Sequence, residues 1–266
     1  MSKFIVVVFP GEAQAYQGTR ALQELHAEGS LTLYGMAVIA KDAKGNVSTK
    51  EAADAGPLGT AVGALVGGLV GVIGGPVGAA AGLVGGAYIG SLNDLFNYGV
   101  GEDFLSKVST ELAPGRSALI AEVAENWMVP LDTRMEALGG TILRTWRADV
   151  EDEQIEQEIA ARRAEFAQLK AEYAQARQEM KAKVKAKVDQ AKADLEKAED
   201  RAKAKLHQLD QEAKAKIAAL DKQLNEARDQ AREKINQRIG TLRADHERRT
   251  AKLKQAWQLT KEALAA

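Results

Sequence analysis

The stretch that divides this chain is residues 57–93, PLGTAVGALVGGLVGVIGGPVGAAAGLVGGAYIGSLN. It lies within the 39 residues between Asp54 and Asp94, none of which carries a formal charge. Glycine occupies every fourth position in two series, which the step Gly74-Gly75-Pro76 separates. The helix-packing glycines are Gly59, Gly63, Gly67, Gly71 and Gly75 in the first series, and Gly78, Gly82, Gly86 and Gly90 in the second.

A four-residue repeat places each glycine series on one side of a helix, where another backbone can approach closely. Because a Gly-Gly-Pro step usually breaks a helix, the stretch predicts two helices of about 16 residues each, folded as a glycine-zipper hairpin. Helices that are apolar on all sides lie in lipid or in a large protein core. A full membrane span needs about 20 residues, and each arm is shorter than that. We expect membrane insertion, and burial of the hairpin in protein stays open as the alternative.

The sequence on both sides of this insertion predicts one α+β domain, formed by residues 1–56 and 94–150. Residues 4–9 are a continuous apolar run of strand length, typical of a strand that is buried on both faces. Further strands are predicted at 31–40, 47–50, 117–124 and 141–148, with helices between them. The order β-α-β-β-insertion-α-β-α-β is that of a ferredoxin-like split βαβ unit with one added helix and strand.

The third region, residues 151–266, contains no proline and one glycine, Gly240, and consists mainly of strong helix formers. Its apolar positions recur every 11 residues, which is 3.67 residues per turn. This pattern predicts one very long α-helix that forms a hendecad coiled coil with other copies of the chain. The oligomer seam is predicted at Leu195, Leu206, Ile217, Leu220, Leu242 and Leu253.

Several kinds of chemistry find no support in the sequence. The absence of cysteine excludes disulfides and thiolate chemistry. No lysine or arginine occurs between Lys50 and Lys107, so the glycine-rich stretch does not fit a phosphate-binding loop. None of the three histidines, His26, His207 and His246, has a second ligand at metal-site spacing, and we interpret His26 with Glu24 as a surface pair. We therefore predict no catalytic residue, metal, cofactor or small-molecule substrate, and no enzyme activity.

The N-terminal part resembles a bacterial family of uncharacterised "predicted membrane proteins" with a glycine zipper and a domain of unknown function. The resemblance is carried by FIVVVFP (4–10), LYGMAVIAKDAKGNV (33–47), GPLGTAVGALVGG (56–68), EDFLSKV (102–108), LAPGRSALIAEV (112–123) and LDTRMEALGG (131–140). It covers residues 1–150 and implies association with a membrane. It implies no activity and no catalytic residues.

The balance of charged residues is the last feature on which the prediction of function rests. Residues 1–150 carry 10 Lys+Arg against 15 Asp+Glu, and residues 151–266 carry 26 against 22, so we expect no nucleic-acid partner. We predict a non-enzymatic scaffold that forms a large homo-oligomer on the cytoplasmic side of the cell membrane, with the hairpin inserted. The alternatives are a cytoplasmic soluble filament or shell protein with the hairpin buried between subunits, and a small-ligand or stress-response binding module.

Overall fold

A computed structural model describes residues 2–52, 56–81, 98–147 and 150–265, without the side chains of residues 74–81 and 179. The strands are β1 (Lys3–Phe9), β2 (Leu31–Lys41), β3 (Val47–Glu51), β4 (Ser117–Glu125) and β5 (Thr141–Trp146). The helices are α1 (Glu12–Ala27), α2 (Gly59–Ala81), α3 (Glu102–Glu111), α4 (Val129–Ala137), α5 (Val150–Gln175), α6 (Gln178–Glu226) and α7 (Asp229–Ala265). The chain is therefore of the mixed α+β class that the sequence predicts.

The five strands form one antiparallel sheet in the order β3-β2-β4-β1-β5. β4 lies between β1 and β2, and β1 lies between β4 and β5, so a third strand separates the two strands of each βαβ connection. β1 pairs with β4, with Val6 opposite Ile120 and Phe9 opposite Ser117. All five predicted strands are present at their predicted places within a few residues.

Both faces of the sheet are covered, as the continuous apolar run of β1 requires. Phe4, Val6 and Val8 pack on one face beneath α2 and α3. Ile5 and Val7 pack with Phe9 on the other face, beneath α1 and α4. Successive side chains of a strand point to opposite faces, so a strand in a three-layer domain is apolar at every position.

Helix α2 continues through Gly74-Gly75-Pro76 to Ala81. The helix break that the sequence predicts at this step is therefore wrong. An interior proline costs about 3 kcal/mol. Burial of Val62, Leu65 and Leu69 against the sheet contributes about 1.5–3 kcal/mol each and fixes the part of the helix that precedes the proline. The second arm of the predicted hairpin, with Gly82, Gly86 and Gly90, lies outside the described residues.

The C-terminal region also differs from its prediction, because it forms three helices where one very long helix was expected. α6 is the longest, with 49 residues. The chain divides into two compact units, Met1–Asp149 with Glu212–Arg243, and Val150–Gln211 with Ala244–Ala266. The second unit is a helical bundle whose core contains Ile155, Ile159, Leu206 and Leu253. A single extended helix would leave its apolar stripe in water, whereas packing helices together within the chain buries it.

The predicted seam residues are buried or half-buried by contacts within the chain itself. Leu195, Leu220 and Leu253 are fully buried, Leu206 is nearly so, and Ile217 and Leu242 are half-buried. The exposed apolar stripe that was expected to drive association between copies is therefore not present at these positions. In the part of the chain that the structure describes, no helix combines the length and the apolar character needed to cross a membrane.

Candidate functional site

The most distinctive site lies in the first unit, where residues 212–243 of α6 and α7 pack against the α/β domain. An apolar cluster joins Leu220, Ile235 and Ile239 of these helices to Tyr34 of β2 and Ala124 of β4. We call this contact the docking surface. It brings charged and polar side chains into the protein interior, which is costly unless every charge is paired.

The centre of the docking surface is a group of four charged residues, Glu122, Arg147, Glu212 and Lys216, which we call the ion-pair cluster. Glu122 stands on β4 and is 0 % exposed. Its Oε1 accepts hydrogen bonds from the Lys216 ammonium at 2.5 Å, the Arg147 guanidinium at 2.8 Å and the Ser2 hydroxyl at 2.6 Å. Glu212 accepts from Lys216 at 2.7 Å and from two nitrogens of Arg147. Two acids and two bases thus balance each other within hydrogen-bond distance.

The two cations keep both acids ionised. Burial acts to raise the pKa of Glu122 and of Glu212, but Arg147 and Lys216 outweigh it, and both pKa values fall below the usual range. Lys216 also lies 4.8 Å from the ring centre of Tyr34. Burial and, next, the negative charge of Glu122 raise the pKa of Tyr34, so this phenol stays neutral.

A second set of contacts fixes the turn between α1 and β2. The Gln223 amide donates to the carbonyls of His26 at 2.6 Å and Leu31 at 2.7 Å, and its oxygen accepts from the Thr32 hydroxyl at 2.7 Å. Because Gln223 is buried, these bonds satisfy carbonyls that water does not reach. We call the contacts of Gln223 and Arg238 with this turn the turn clamp.

Arg238 of α7 completes the turn clamp. Its guanidinium donates to the carbonyl oxygens of Ser30 at 2.9 Å and Gly29 at 3.2 Å, and to Asn126 Oδ1 at 3.0 Å. Gly29 has φ +74°, and a Cβ at this position would lie 2.5 Å from the Cβ of Ala231. Glycine is therefore required here both by the backbone conformation and by the close approach of α7.

His26 is partly buried, whereas the sequence suggests a surface residue. Its Nδ1 accepts a hydrogen bond from the Leu33 backbone N–H at 3.2 Å. Burial lowers the pKa of His26 below its ordinary value of 6.5, which favours the neutral ring that this bond requires. The sequence signal was weak, because a histidine near a helix end is usually solvated.

The remaining predicted residues fall into two groups. Gly63 and Gly71 lie on the outer side of α2, where an added Cβ would meet no described atom within 4 Å. Gly59 and Gly67 lie in the same helix, as do the backbones of Gly75 and Gly78. The other two histidines contact single neighbours, His207 with Gln211 and His246 with Asp210. Within residues 2–52, 56–81, 98–147 and 150–265 no group of side chains could hold a metal ion.

Comparison with known proteins gives one match. A family model described as a protein of unknown function (DUF1269) matches residues 60–160, from α2 to the first turns of α5. The match supports the predicted resemblance to an uncharacterised family over part of residues 1–150. No curated protein and no solved structure matches the sequence.

Proposed function

We propose that this protein is a non-enzymatic scaffold that self-associates at a membrane, with a ferredoxin-like domain as its framework. The observation that carries the proposal is the uncharged stretch between Asp54 and Asp94. Most side chains of its described part are buried, with Val62, Leu65 and Leu69 in the core between α2 and the sheet. Val72, seven residues after Leu65 on the same face of α2, is nevertheless 41 % exposed.

The exposed surface of α2, which includes Val72 and the outer glycines Gly63 and Gly71, is the surface that we propose for membrane contact, together with the rest of the glycine-zipper stretch up to Asn93. Helix α2 keeps its inner side on the sheet, so this contact is a shallow insertion of an apolar surface. Gly63 and Gly71 leave space on the same helix for the backbone of a second helix. The docking surface supports a structural role, because its buried charges hold two helices on the domain.

The alternative is a soluble filament or shell protein in which this surface of α2 is buried between subunits. The burial of α2 against the sheet favours this alternative, since it shows that the helix can belong to a protein core. Both functions require an apolar partner for the exposed surface of α2, and they differ in whether that partner is lipid or a second copy.

The experiment is vesicle flotation of the full chain and of the variant Val72→Lys. A lysine at the centre of a bilayer costs about 2.5–3.5 kcal/mol, so the partition coefficient of the variant should fall by up to about a hundredfold, and its floating fraction with it. The matched control is Val129→Lys, because Val129 is 50 % exposed and lies outside the uncharged stretch. Equal flotation of both variants and the original chain would reject membrane contact by α2. Loss of an oligomer in Val72→Lys without any flotation of the original chain would establish the alternative.

A further inference from the structure

We propose that residues 170–188, at the end of α5 and the start of α6, bind the surface of an anionic lipid membrane. We call these residues the lysine segment. The contact is separate from the apolar contact proposed for α2, because it lies in the second unit and needs negative lipid headgroups instead of an apolar layer.

The charge of the C-terminal region is concentrated in this segment. Residues 170–188 carry six Lys+Arg and two Asp+Glu. The rest of residues 151–266 carries 20 of each sign, so the entire positive surplus of the region lies in the lysine segment. An excess of this kind attracts a negative surface, whereas a balanced helix surface does not.

Four lysines of the segment are exposed, and none forms an ion pair with a described acidic side chain: Lys181, Lys183, Lys185 and Lys187. Two lysines further along the same helix are paired. Lys203 contacts Glu199 at 2.8 Å, and Lys205 contacts Glu151 at 2.5 Å. The four lysines are thus available to an external partner in a helix where others are used internally.

The spacing of these lysines places them on both sides of the buried stripe of α6. Residues four apart share a helix face, so Lys181 lies beside Lys185, and Lys183 beside Lys187. Val184 is buried between the two pairs. The flexible lysine side chains can therefore reach one external plane from two flanks of the helix.

Apolar side chains at the turn between α5 and α6 favour lipid over nucleic acid as the partner. Tyr173 is 37 % exposed and Met180 is 51 % exposed, on either side of the turn. Tyrosine beside apolar and basic residues is typical of the membrane–water interface. Nucleic-acid sites rely more on arginine, whose planar guanidinium binds phosphate with two hydrogen bonds, and the segment contains only Arg177.

The test is the binding of the full chain to phosphatidylcholine vesicles with and without phosphatidylserine, at low and high salt. In the test variant the four lysines are changed to glutamine, a residue of similar helix propensity. Each lysine near an anionic surface changes binding by about fivefold, so the variant should lose at least about a hundredfold in affinity for the anionic vesicles. The matched control changes four other exposed lysines, which likewise form no ion pair with a described acidic side chain, to glutamine: Lys214, Lys222, Lys234 and Lys254.

The control variant should bind anionic vesicles within about threefold of the original chain, and high salt should weaken that binding. Equal losses in the two variants, or no loss in the test variant, would overturn the proposal. So would tighter binding of a mixed-sequence single-stranded oligonucleotide than of anionic vesicles at the same salt. Binding to neutral vesicles tests the α2 contact separately, because the lysine changes should leave it unaltered.

Discussion

Replacing two oppositely charged members of the ion-pair cluster together should cost less stability than the sum of the two single replacements. Glu122→Gln leaves Arg147 and Lys216 sharing one acid, and Lys216→Met leaves two acids sharing one base. Removing one partner of a buried ion pair costs about 3–5 kcal/mol, because an uncompensated charge stays in the interior. The double variant keeps the pair of Arg147 and Glu212, with one charge of each sign. We therefore expect its cost to be about 2–3 kcal/mol less than the sum of the single costs.

Urea denaturation followed by circular dichroism at neutral pH measures these four free energies of unfolding. Lys214→Met is the matched control, because Lys214 is exposed on the same helix and its replacement should change stability by less than about 0.5 kcal/mol. The lowered pKa values of Glu122 and Glu212 mean that their contribution is present above their ordinary value of 4.5 and is lost as the pH falls through the folded values. Additive single costs at neutral pH would show that the four charges do not act as one unit.

The remaining predictions concern the turn clamp, helix α2 and His26. Gly29→Ala should destabilise the protein by about 2–4 kcal/mol, because a Cβ there combines a left-handed backbone with a 2.5 Å approach to Ala231. Gly63→Ala should stabilise it by about 1 kcal/mol, because the site is open and alanine favours helix. Thermal unfolding of both variants tests this, and a destabilised Gly63→Ala would mean that this side of α2 is covered. The contribution of His26 is present above its ordinary pKa of 6.5 and is lost as the pH falls, because protonation removes the acceptor for the Leu33 N–H. His26→Asn keeps an acceptor that does not titrate, so its stability should change less than that of the original chain between about pH 7 and 5, and an unchanged pH dependence would exclude His26 as the cause.

The sheet could be predicted from the sequence because its signals are local. Residues 4–9 are apolar at every position, and the turn around Gly45 separates β2 from β3 within a few residues. The ion-pair cluster could not be predicted in this way. Glu122 is a single acid within an apolar strand, and its partner Lys216 is 94 positions away, in a helix with many other lysines. No pattern along the chain distinguishes Lys216 from Lys214.

The ends of the helices in the C-terminal region could not be predicted from the sequence either. The interruptions fall at residues 176–177 and 227–228, and both are Ala-Arg, two residues that favour helix. The one glycine of the region, Gly240, lies within α7 and does not end it. Local propensity is a weak influence when packing decides where apolar surface is buried, so these boundaries are set by tertiary contacts.

The docking surface also has a consequence for the time course of synthesis. The contacts that complete the sheet domain join Leu31 to Gln223 and Gly29 to Arg238, which are 192 and 209 positions apart. At about 5–20 residues per second, β4 emerges roughly 5–20 s before the lysine that neutralises Glu122. A nascent chain that ends before Lys216 therefore carries a finished set of strands in which Glu122 still lacks one of its two cations. Such a chain is a substrate for chaperones and proteases until its last third has been translated.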